Sequence, residues 1–405
     1  MNIKQKIKDI VPEMTEWRHQ IHEKPEIAYQ EKVTSKFIAN KLKDFGIEVI
    51  EEFGKTGVVG IIQGKENKGK EKSIAIRADM DALPMTEKTN LPYSSKNEGA
   101  MHACGHDGHS TMLLGAAKYL SETKNFYGKV YCVFQPAEEG GNAGAKAMIN
   151  DGLFKKFKID SVWGIHNWPG IPVGEAVIHE GFAMAGGDII VIEVKGKGGH
   201  AAQPQYANDP MVAAGLTITA LQSLISRQLD PFKSAVLSIT KIEGGSAFNV
   251  IPDTVTIGGT LRSTDQKNRN EMLDKIKKVA SNTCAISNCE VNIEIRPGYP
   301  PTINNKECAK LASKIFKKTF GDNSINLKET PTMGSEDFSY MLEEKPGAYI
   351  WLGAGESSEK LHSPFYDFND ELLPIGAQYW TDLAENILVE RSEERRVGKE
   401  CRSRW

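Results

Sequence analysis

The stretch "SIAIRAD" at residues 73–79 is an apolar run that ends in a charged side chain, Asp79. Two runs of the same kind follow, "KVYCVFQP" at 129–136 and "SVWGIHN" at 161–167, and segments with helical periodicity separate them. Strands buried on both faces have such continuous apolar sequences, and their alternation with helices is typical of a mostly parallel sheet. The first half of the chain is therefore predicted to be an α/β domain.

Polar side chains follow these runs at their carboxyl ends. They are Asp79 and Asp81 after the first run, Glu138 and Glu139 after the second, and His166 in the third. Ligands of parallel α/β sheets bind beyond the carboxyl ends of the strands. These acids and this imidazole are therefore predicted to lie along one edge of the sheet.

The pattern changes between residues 188 and 297. Strand and helix signals follow one another there in the order β-α-β-β-α-β, which is the ferredoxin-like arrangement. We predict a catalytic domain formed by residues 1–185 and 298–390, with a second domain inserted at 186–297. Residues 391–405 are dense in arginine and have no apolar period, so we expect a disordered tail that is extraneous to the native protein.

The overall charge of the chain is close to neutral. Its 405 residues contain 50 Lys+Arg and 53 Asp+Glu, for a net charge of -3. Such a balance gives no positive electrostatic potential that would attract nucleic acid or an anionic membrane, and neither is expected as a partner. The N-terminal segment has no apolar core of the signal-peptide type, and no apolar run reaches the ~18 residues of a membrane span. The 6 cysteines are scattered without pairs, which favours a cytoplasmic enzyme.

The stretch "MHACGHDGH" at 101–109 places Cys104 and His106 directly before a helical pattern. By itself it is compatible with a metal site, with a thiol nucleophile beside its base, or with a polar helix start. Glu139, His166 and His362 also have simple structural explanations, in a solvated loop, a buried strand and a Pro-bounded loop. Together these five residues offer a thiolate, imidazoles and a carboxylate, a set that suits zinc or another borderline divalent ion.

The thiol hypothesis uses fewer of these residues. A cysteine nucleophile needs one imidazole to take its proton, and His106 is close to Cys104 in sequence. This chemistry gives no role to Glu138 and Glu139 or to the more distant histidines. Because a metal site uses all of them, we favour it.

Several segments of the chain together resemble the motifs of one family. They are "RADMDALP", "MHACGHDGH", "QPAEEG", "GIHNWP", "GKGGHAAQP", "GGSAFNVIPD", "GTLRS", "GSEDFSY" and "LHSPFYDFN". The family is that of the aminoacylase/carboxypeptidase-type dinuclear metallopeptidases, in the amidohydrolase branch with hippurate hydrolase and the auxin–amino acid conjugate hydrolases. The resemblance runs from about Arg18 to Glu390. It implies a dinuclear catalytic domain, an inserted lid domain that dimerises, and hydrolysis of N-acyl amino acids.

Residue by residue, the resemblance implies two divalent metal ions per subunit, whether zinc, manganese, cobalt or nickel. Their ligands would be Cys104, His106, Glu139, His166 and His362. Glu138 is similar to the family's general base, which takes a proton from metal-activated water and passes it to the leaving amine. Asp79 and Asp81 stand where the family orients a ligand. Other branches carry His-x-Asp where this chain reads "DMD", which leaves the role of Asp79 open.

In the inserted domain, His200 resembles a histidine that reaches the site from the partner subunit and stabilises the tetrahedral oxyanion. Asn249 and Arg262 resemble the groups that hold the substrate carboxylate. Without the resemblance, His200 reads as a surface residue after a Gly-rich turn, and Arg262 as an exposed strand residue. Asp107 and His109 are expected to support the site, by capping the following helix and by hydrogen-bonding the ligands.

The function that this resemblance implies is a dimeric, metal-dependent amidohydrolase that cleaves the amide bond of N-acyl amino acids. Two other classes remain open at this level. One is a binding protein that holds an acylated amino acid without cleaving it, and the other is a thiol-dependent hydrolase that uses Cys104. An intact Glu138 argues against the first, since pure binding needs no base. A chelator distinguishes the second, since it would spare a thiol enzyme.

Overall fold

The computed structural model describes residues 3–66 and 71–390, so the predicted tail at 391–405 lies outside the described residues. The strands are β1 (Glu48–Phe53), β2 (Gly57–Gln63), β3 (Ser73–Asp79), β4 (Lys129–Gln135), β5 (Ser161–Pro169), β6 (Ala176–Val177), β7 (Phe182–Met184), β8 (Gly186–Lys195), β9 (Gly199–His200), β10 (Ala235–Gly244), β11 (Val250–Ile251), β12 (Thr254–Ser263), β13 (Glu290–Pro297), β14 (Thr302–Ile303) and β15 (Gly347–Gly355). The helices are α1 (Gln5–Asp9), α2 (Val11–His22), α3 (Lys32–Asp44), α4 (His106–Thr123), α5 (Gly144–Asn150), α6 (Leu153–Lys156), α7 (Pro210–Ser223), α8 (Gln266–Ile286), α9 (Lys306–Phe320), α10 (Ser339–Glu344) and α11 (Leu372–Ile387).

These elements form two compact units. The first unit contains the described residues of Met1–Ala183, Ile303–Thr330 and Asp337–Trp405. The second unit contains Met184–Thr302 and the short segment Pro331–Glu336.

The first unit is built on a seven-stranded sheet with the order β1-β2-β4-β3-β5-β15-β6. Its four central strands, β4, β3, β5 and β15, run parallel, whereas the outer pairs are antiparallel. The register pairs Asp79 with Gln135 at the ends of β3 and β4. The segments that follow these two strands therefore leave the sheet side by side, and the α/β prediction is confirmed.

Helix α4 lies in the core of this unit, and its first turns are completely buried. Its Met112, Leu113 and Ala116 have no exposed surface. Gly376 of α11 allows close packing, because a Cβ at that position would collide with the sulfur of Met112. The apolar period predicts a helix from Thr111, but α4 begins at His106. The polar residues of this first turn are buried, because His109 and Ser110 bond to Asp79 of β3 and Asp107 bonds to His22 of α2.

The second unit has a four-stranded antiparallel sheet with the order β10-β12-β8-β13, and helices α7 and α8 pack on it. The predicted β-α-β-β-α-β order is present. Residues of β12 alternate between buried and partly exposed, as expected for a sheet covered on one face. Asp209 and Asp265 accept hydrogen bonds from the first free amides of α7 and α8, which fixes where both helices begin.

Among the helices within residues 3–66 and 71–390, none combines the length and the apolar character needed to cross a membrane.

Candidate metal centre

Three predicted ligands meet at the carboxyl edge of the parallel strands. Cys104 precedes α4, His106 is the first residue of α4, and His166 lies in β5. Their ligand atoms all lie within 4.8 Å of one another. The Cys104 Sγ is 3.4 Å from the Nε2 of His166, and the three residues are buried. The structure thus brings together side chains that are separated by about sixty residues in the sequence.

Backbone carbonyls determine how the two imidazoles are oriented. The Nδ1 of His106 donates to the backbone oxygen of Asp81 at 2.9 Å, and the Nδ1 of His166 donates to that of Asn167 at 2.7 Å. Both rings therefore direct their Nε2 towards the cluster. The Nε2 of His106 is buried and has no hydrogen-bond partner among the described residues. A buried ring nitrogen without a partner is a suitable metal ligand.

A second group shares the same thiol. The ligand atoms of Cys104, Glu139 and His362 also lie within 4.8 Å of one another. The Nε2 of His362 is 3.2 Å from a carboxylate oxygen of Glu139. The backbone amide of His362 donates to the carbonyl of Ala103 at 2.8 Å, which ties the C-terminal loop to the segment that carries Cys104. His362 adopts a φ of 64°, so this tie holds the residue in the left-handed region.

Glu138 and Glu139 lie side by side because Asp81 holds their backbone. The two carboxylate oxygens of Asp81 accept hydrogen bonds from the amide of Glu138 at 3.0 Å and from the amide of Glu139 at 2.9 Å. The side chain of Glu138 is buried, and it groups with His106 and Glu139. Asp81 thus positions the acidic loop and, through its carbonyl, the ring of His106.

The charges of the cluster fit a bound cation. Burial lowers the pKa of His106, but Asp79, Asp81 and Glu139 outweigh it and raise that pKa to about 10. Burial and the charge of Glu139 raise the pKa of the Cys104 thiol well above its ordinary value. Without a cation, these surroundings favour the protonated forms of Cys104 and His106, which do not bind a metal ion. A divalent ion compensates the same carboxylates and favours the thiolate and the free imidazole.

Asp79 lies at the end of β3 in a buried network that the sequence did not reveal. The Nη1 of Arg77 donates to one of its oxygens at 2.6 Å, and the Nδ1 of His109 donates to the other at 2.6 Å. The Nη2 of Arg77 reaches Asp337 at 3.0 Å. His109 Nε2 in turn accepts from the amide of Asn167 at 3.0 Å. An arginine inside the apolar run "SIAIRAD" was the available signal for this network, since a buried charge needs partners.

The expectation that Asp107 caps α4 is wrong. The helix starts after Gly105, which has a φ of 89°, and within residues 3–66 and 71–390 no side chain caps its first amides. Asp107 instead accepts a hydrogen bond from the Nδ1 of His22 at 2.8 Å and lies 3.6 Å from the guanidinium of Arg18. The carboxylate is thus held by two buried basic groups of α2 and not by the amides of the helix terminus.

The remaining predicted residues belong to the second unit. His200 in β9 and Asn249 next to β11 are neighbours, because β9 pairs with β11 and the amide of Ala201 donates to the carbonyl of Asn249 at 3.1 Å. Both are exposed. Arg262 of β12 donates from Nη1 to the Oγ of Ser335 at 2.6 Å. Its guanidinium therefore has a fixed neighbour and is not a freely solvated strand residue.

Comparison with known proteins identifies the family. The family model for Peptidase family M20/M25/M40 matches residues 75–386. The chain belongs to this family.

Relatives of this M20 family member include amidohydrolases of nearly the same length. The hippurate hydrolase of Campylobacter jejuni is 47% identical over 388 residues, which cover 96% of this chain and 100% of that protein. The N-acetyl-L-cysteine deacetylase of Bacillus subtilis is 40% identical over 382 residues, with coverage of 94% and 89%. The crystal structure of the Bacillus subtilis YXEP protein, a dinuclear metal-binding peptidase from the M20 family, superposes with a TM-score of 0.82 at 33% identity and covers 94% of this chain and 99% of that one.

Proposed function

We propose that the chain is a metal-dependent amidohydrolase that cleaves the amide bond of N-acyl amino acids. The observation that carries the proposal is a buried carboxylate, Glu138, beside two groups of ligand atoms that share Cys104. The family assignment and the hippurate hydrolase and deacetylase among the relatives support this reaction class. A pure binding protein has no use for such a base, and a thiol enzyme has no use for the carboxylates.

Two divalent ions are proposed, because the ligand atoms form two groups around the Cys104 sulfur. Their ligands would be Cys104, His106, Glu139, His166 and His362. Thiolate, imidazole and carboxylate together suit zinc, manganese, cobalt or nickel. Such ions supply Lewis acidity, which lowers the pKa of water and polarises a carbonyl group.

Glu138 is the proposed general base. Its backbone is held by Asp81, so its carboxylate is kept beside His106 and Glu139. A carboxylate oxygen of Glu138 would take a proton from the attacking water and then donate it to the nitrogen of the leaving amino acid. Asp79 and Asp81 are positioning residues in this scheme, since they contact His109, His106 and the acidic loop.

The inserted domain at 186–297 is the proposed lid, and it carries the substrate-binding groups. The Arg262 guanidinium and the Asn249 amide suit a carboxylate, which is the group that every N-acyl amino acid retains. His200 is proposed to stabilise the oxyanion. The pairing of β9 with β11 supports a common role for His200 and Asn249, since it presents both from one short ribbon.

We propose that two copies form a homodimer through the second unit. Apolar side chains are exposed on α7, where Met211, Val212 and Leu216 are 45%, 54% and 42% exposed. The edge strand β10 exposes Val236 and Ile242 as well, at 41% and 53%. An edge strand with an apolar neighbour pairs readily with a second copy of itself.

We also propose a cytoplasmic location, since the described cysteines at 104, 132, 284, 289 and 308 are all free.

The test is a screen of N-acyl amino acids against the purified protein, reconstituted in turn with zinc, manganese, cobalt and nickel. Acetyl, benzoyl, succinyl and indole-acetyl conjugates are the acyl groups to include, with ninhydrin detection of the released amine. We expect turnover with at least one metal and loss of turnover with a chelator. Activity that survives complete removal of metal would instead support a thiol hydrolase.

A further inference from the structure

The loop between β4 and α5 carries Glu138 and Glu139, and its backbone is strained at both ends. Ala137 has a φ of 53° and Ala143 a φ of 56°, although neither residue is a glycine. A residue that has a Cβ atom rarely adopts this left-handed backbone conformation unless surrounding contacts enforce it. The contacts that hold Ala137 therefore determine where the following glutamate side chains point.

Glu31 binds the amide of Ala137. This residue lies directly before α3, and its side chain is fully buried. One carboxylate oxygen accepts from the amide of Ala137 at 2.9 Å, and the other accepts from the hydroxyl of Thr56 at 2.6 Å. Glu31 is therefore fixed on one side by the segment between β1 and β2, and it fixes the acidic loop on the other.

Carboxylates from two distant parts of the chain bind three successive amides of this loop. Glu31 binds the amide of Ala137, and Asp81 binds those of Glu138 and Glu139. Asp81 fixes the two glutamate amides, and Glu31 holds the amide of the strained residue before them. The carbonyl of Ala137 also accepts from the amide of Gly144 at 3.0 Å, and Glu31 supplies the side-chain contact at the point where the chain turns towards Glu138.

We propose that Glu31 is a positioning residue, which sets the direction of the Glu138 carboxylate by holding the amide of Ala137. The proposal rests on the proposed function insofar as Glu138 is the base. A displacement of about 1 Å in a catalytic group can reduce turnover by about a hundredfold. Loss of the Glu31 contact should therefore reduce kcat and leave KM nearly unchanged, because Glu31 lies beside the base and not among the substrate-binding groups.

The experiment compares Glu31→Ala with Glu31→Gln. Gln retains an acceptor for the Ala137 amide and a partner for Thr56, whereas Ala retains neither. We expect E31A to lower kcat by more than about tenfold with KM within about twofold of wild type, and E31Q to stay close to wild type. Adding Ala137→Gly to E31A should restore part of kcat, because glycine adopts a positive φ without support.

Hydrogen exchange provides a readout that does not depend on activity. Deuterium uptake of peptides spanning residues 136–145 should rise in E31A and remain at the wild-type level in E31Q. The matched control is Glu26→Ala, which removes an acceptor for the amides of Val33 and Thr34 at the start of α3 but leaves the acidic loop untouched. If E31A does not fold, Glu31→Asp is substituted, since its shorter side chain cannot span Thr56 and Ala137 without a shift.

Two results overturn the proposal: uptake of the loop that is the same in E31A and E26A, or a kcat of E31A that equals that of wild type. A wild-type protein that hydrolyses no N-acyl amino acid would refute the proposed function instead. The exchange comparison would then still decide whether Glu31 holds the loop.

Discussion

Glu138 and Glu139 are adjacent in sequence but have different surroundings. Glu139 lies 3.2 Å from His362 and shares a group of ligand atoms with Cys104. Glu138 is held through its backbone by Asp81 and belongs to the group with His106. At the scale of single residues, we therefore propose two roles for the same kind of side chain, a base for Glu138 and a ligand for Glu139, because each glutamate meets neighbours from different elements.

Replacement of Glu138 by Gln should separate these roles. Gln has nearly the same volume and cannot take a proton, so we expect kcat to fall by about 10²–10⁴-fold while bound metal is unchanged. Steady-state kinetics and elemental analysis of the same preparation measure both quantities. Glu139→Gln is the matched control and should lose metal. Full activity of the E138Q protein would remove Glu138 from the mechanism.

Cys104 is proposed to contact both metal ions, so its loss should affect metal binding first. Removal of partners that merely orient a ligand weakens metal affinity by about 10–100-fold, and Cys104→Ala should cost at least as much. Metal titration followed by elemental analysis measures the change. Cys132→Ala is the control, since it removes another buried thiol from β4. Equal stoichiometry in both variants would show that Cys104 is not a ligand.

At the scale of elements, α2 is joined to the start of α4 by buried ionic contacts. His22 of α2 donates to Asp107 of α4 at 2.8 Å, and its other nitrogen lies 3.4 Å from Glu87. Arg18 is fully buried one turn earlier and bonds to Asp367 and Asp370 at 2.8 Å. These contacts attach α2 to the segment that carries His106, so they stabilise the elements that carry the proposed metal ligands.

The contacts of His22 with Asp107 and Glu87 make the free energy of unfolding decrease as the pH rises. Burial lowers the pKa of His22, but Asp107 and Glu87 outweigh it and raise the pKa to about 9. Because the pKa of His22 is higher in the folded than in the unfolded protein, the charged imidazole stabilises the folded state. This contribution is complete below pH 6.5, the unfolded pKa, and is lost as the pH rises through 9. The contribution is up to about 3 kcal/mol.

Urea denaturation between pH 6 and about pH 10 measures this effect. The free energy of unfolding of wild type should fall across that range relative to His22→Gln, which lacks the titrating group. Lys96→Gln is the control for a surface ion pair, because Lys96 and Glu23 form one at 2.6 Å with an exposed lysine. Parallel pH profiles of wild type and H22Q would contradict the assignment.

At the scale of the whole molecule, the exposed apolar surface of α7 is the proposed dimer interface. A charged side chain on this surface should therefore disrupt the dimer. Leu216 is 42% exposed, and a glutamate there would have to be buried in the interface without a partner. We expect Leu216→Glu to sediment as a monomer and to retain metal. Turnover should fall at least about tenfold if His200 acts across the dimer, as loss of an oxyanion donor does.

Ile286→Glu is the control for this experiment, since Ile286 is 71% exposed at the end of α8 in the same unit. It should leave the sedimentation coefficient unchanged. A monomeric wild-type protein would contradict the proposed dimer. An L216E monomer with wild-type turnover would show that the site is complete within one chain.

The hydrophobic pattern and the short polar motifs of the sequence predict much of the fold and of the candidate site. The apolar runs of β3, β4 and β5 and their alternation with helices predict the α/β sheet, and the order of strand and helix signals between residues 188 and 297 predicts the ferredoxin-like order of the insert. The clustering of Cys104 with His166 and His362 also follows from sequence, because the carboxyl ends of parallel strands meet at one edge. Such inferences succeed because burial leaves a pattern in the sequence, a continuous apolar run where both faces of a strand are buried and an alternation where one face is buried.

Only the tertiary structure decided how the ligands are held. No pattern pairs Arg77 with Asp337, Asp107 with His22, or Glu31 with the amide of Ala137, since these partners are 260, 85 and 106 residues apart. Likewise, which nitrogen of His106 faces the cluster depends on a carbonyl of Asp81. A buried polar group must be satisfied by whatever the fold brings within about 3 Å, and that neighbour leaves no periodic signal in the sequence.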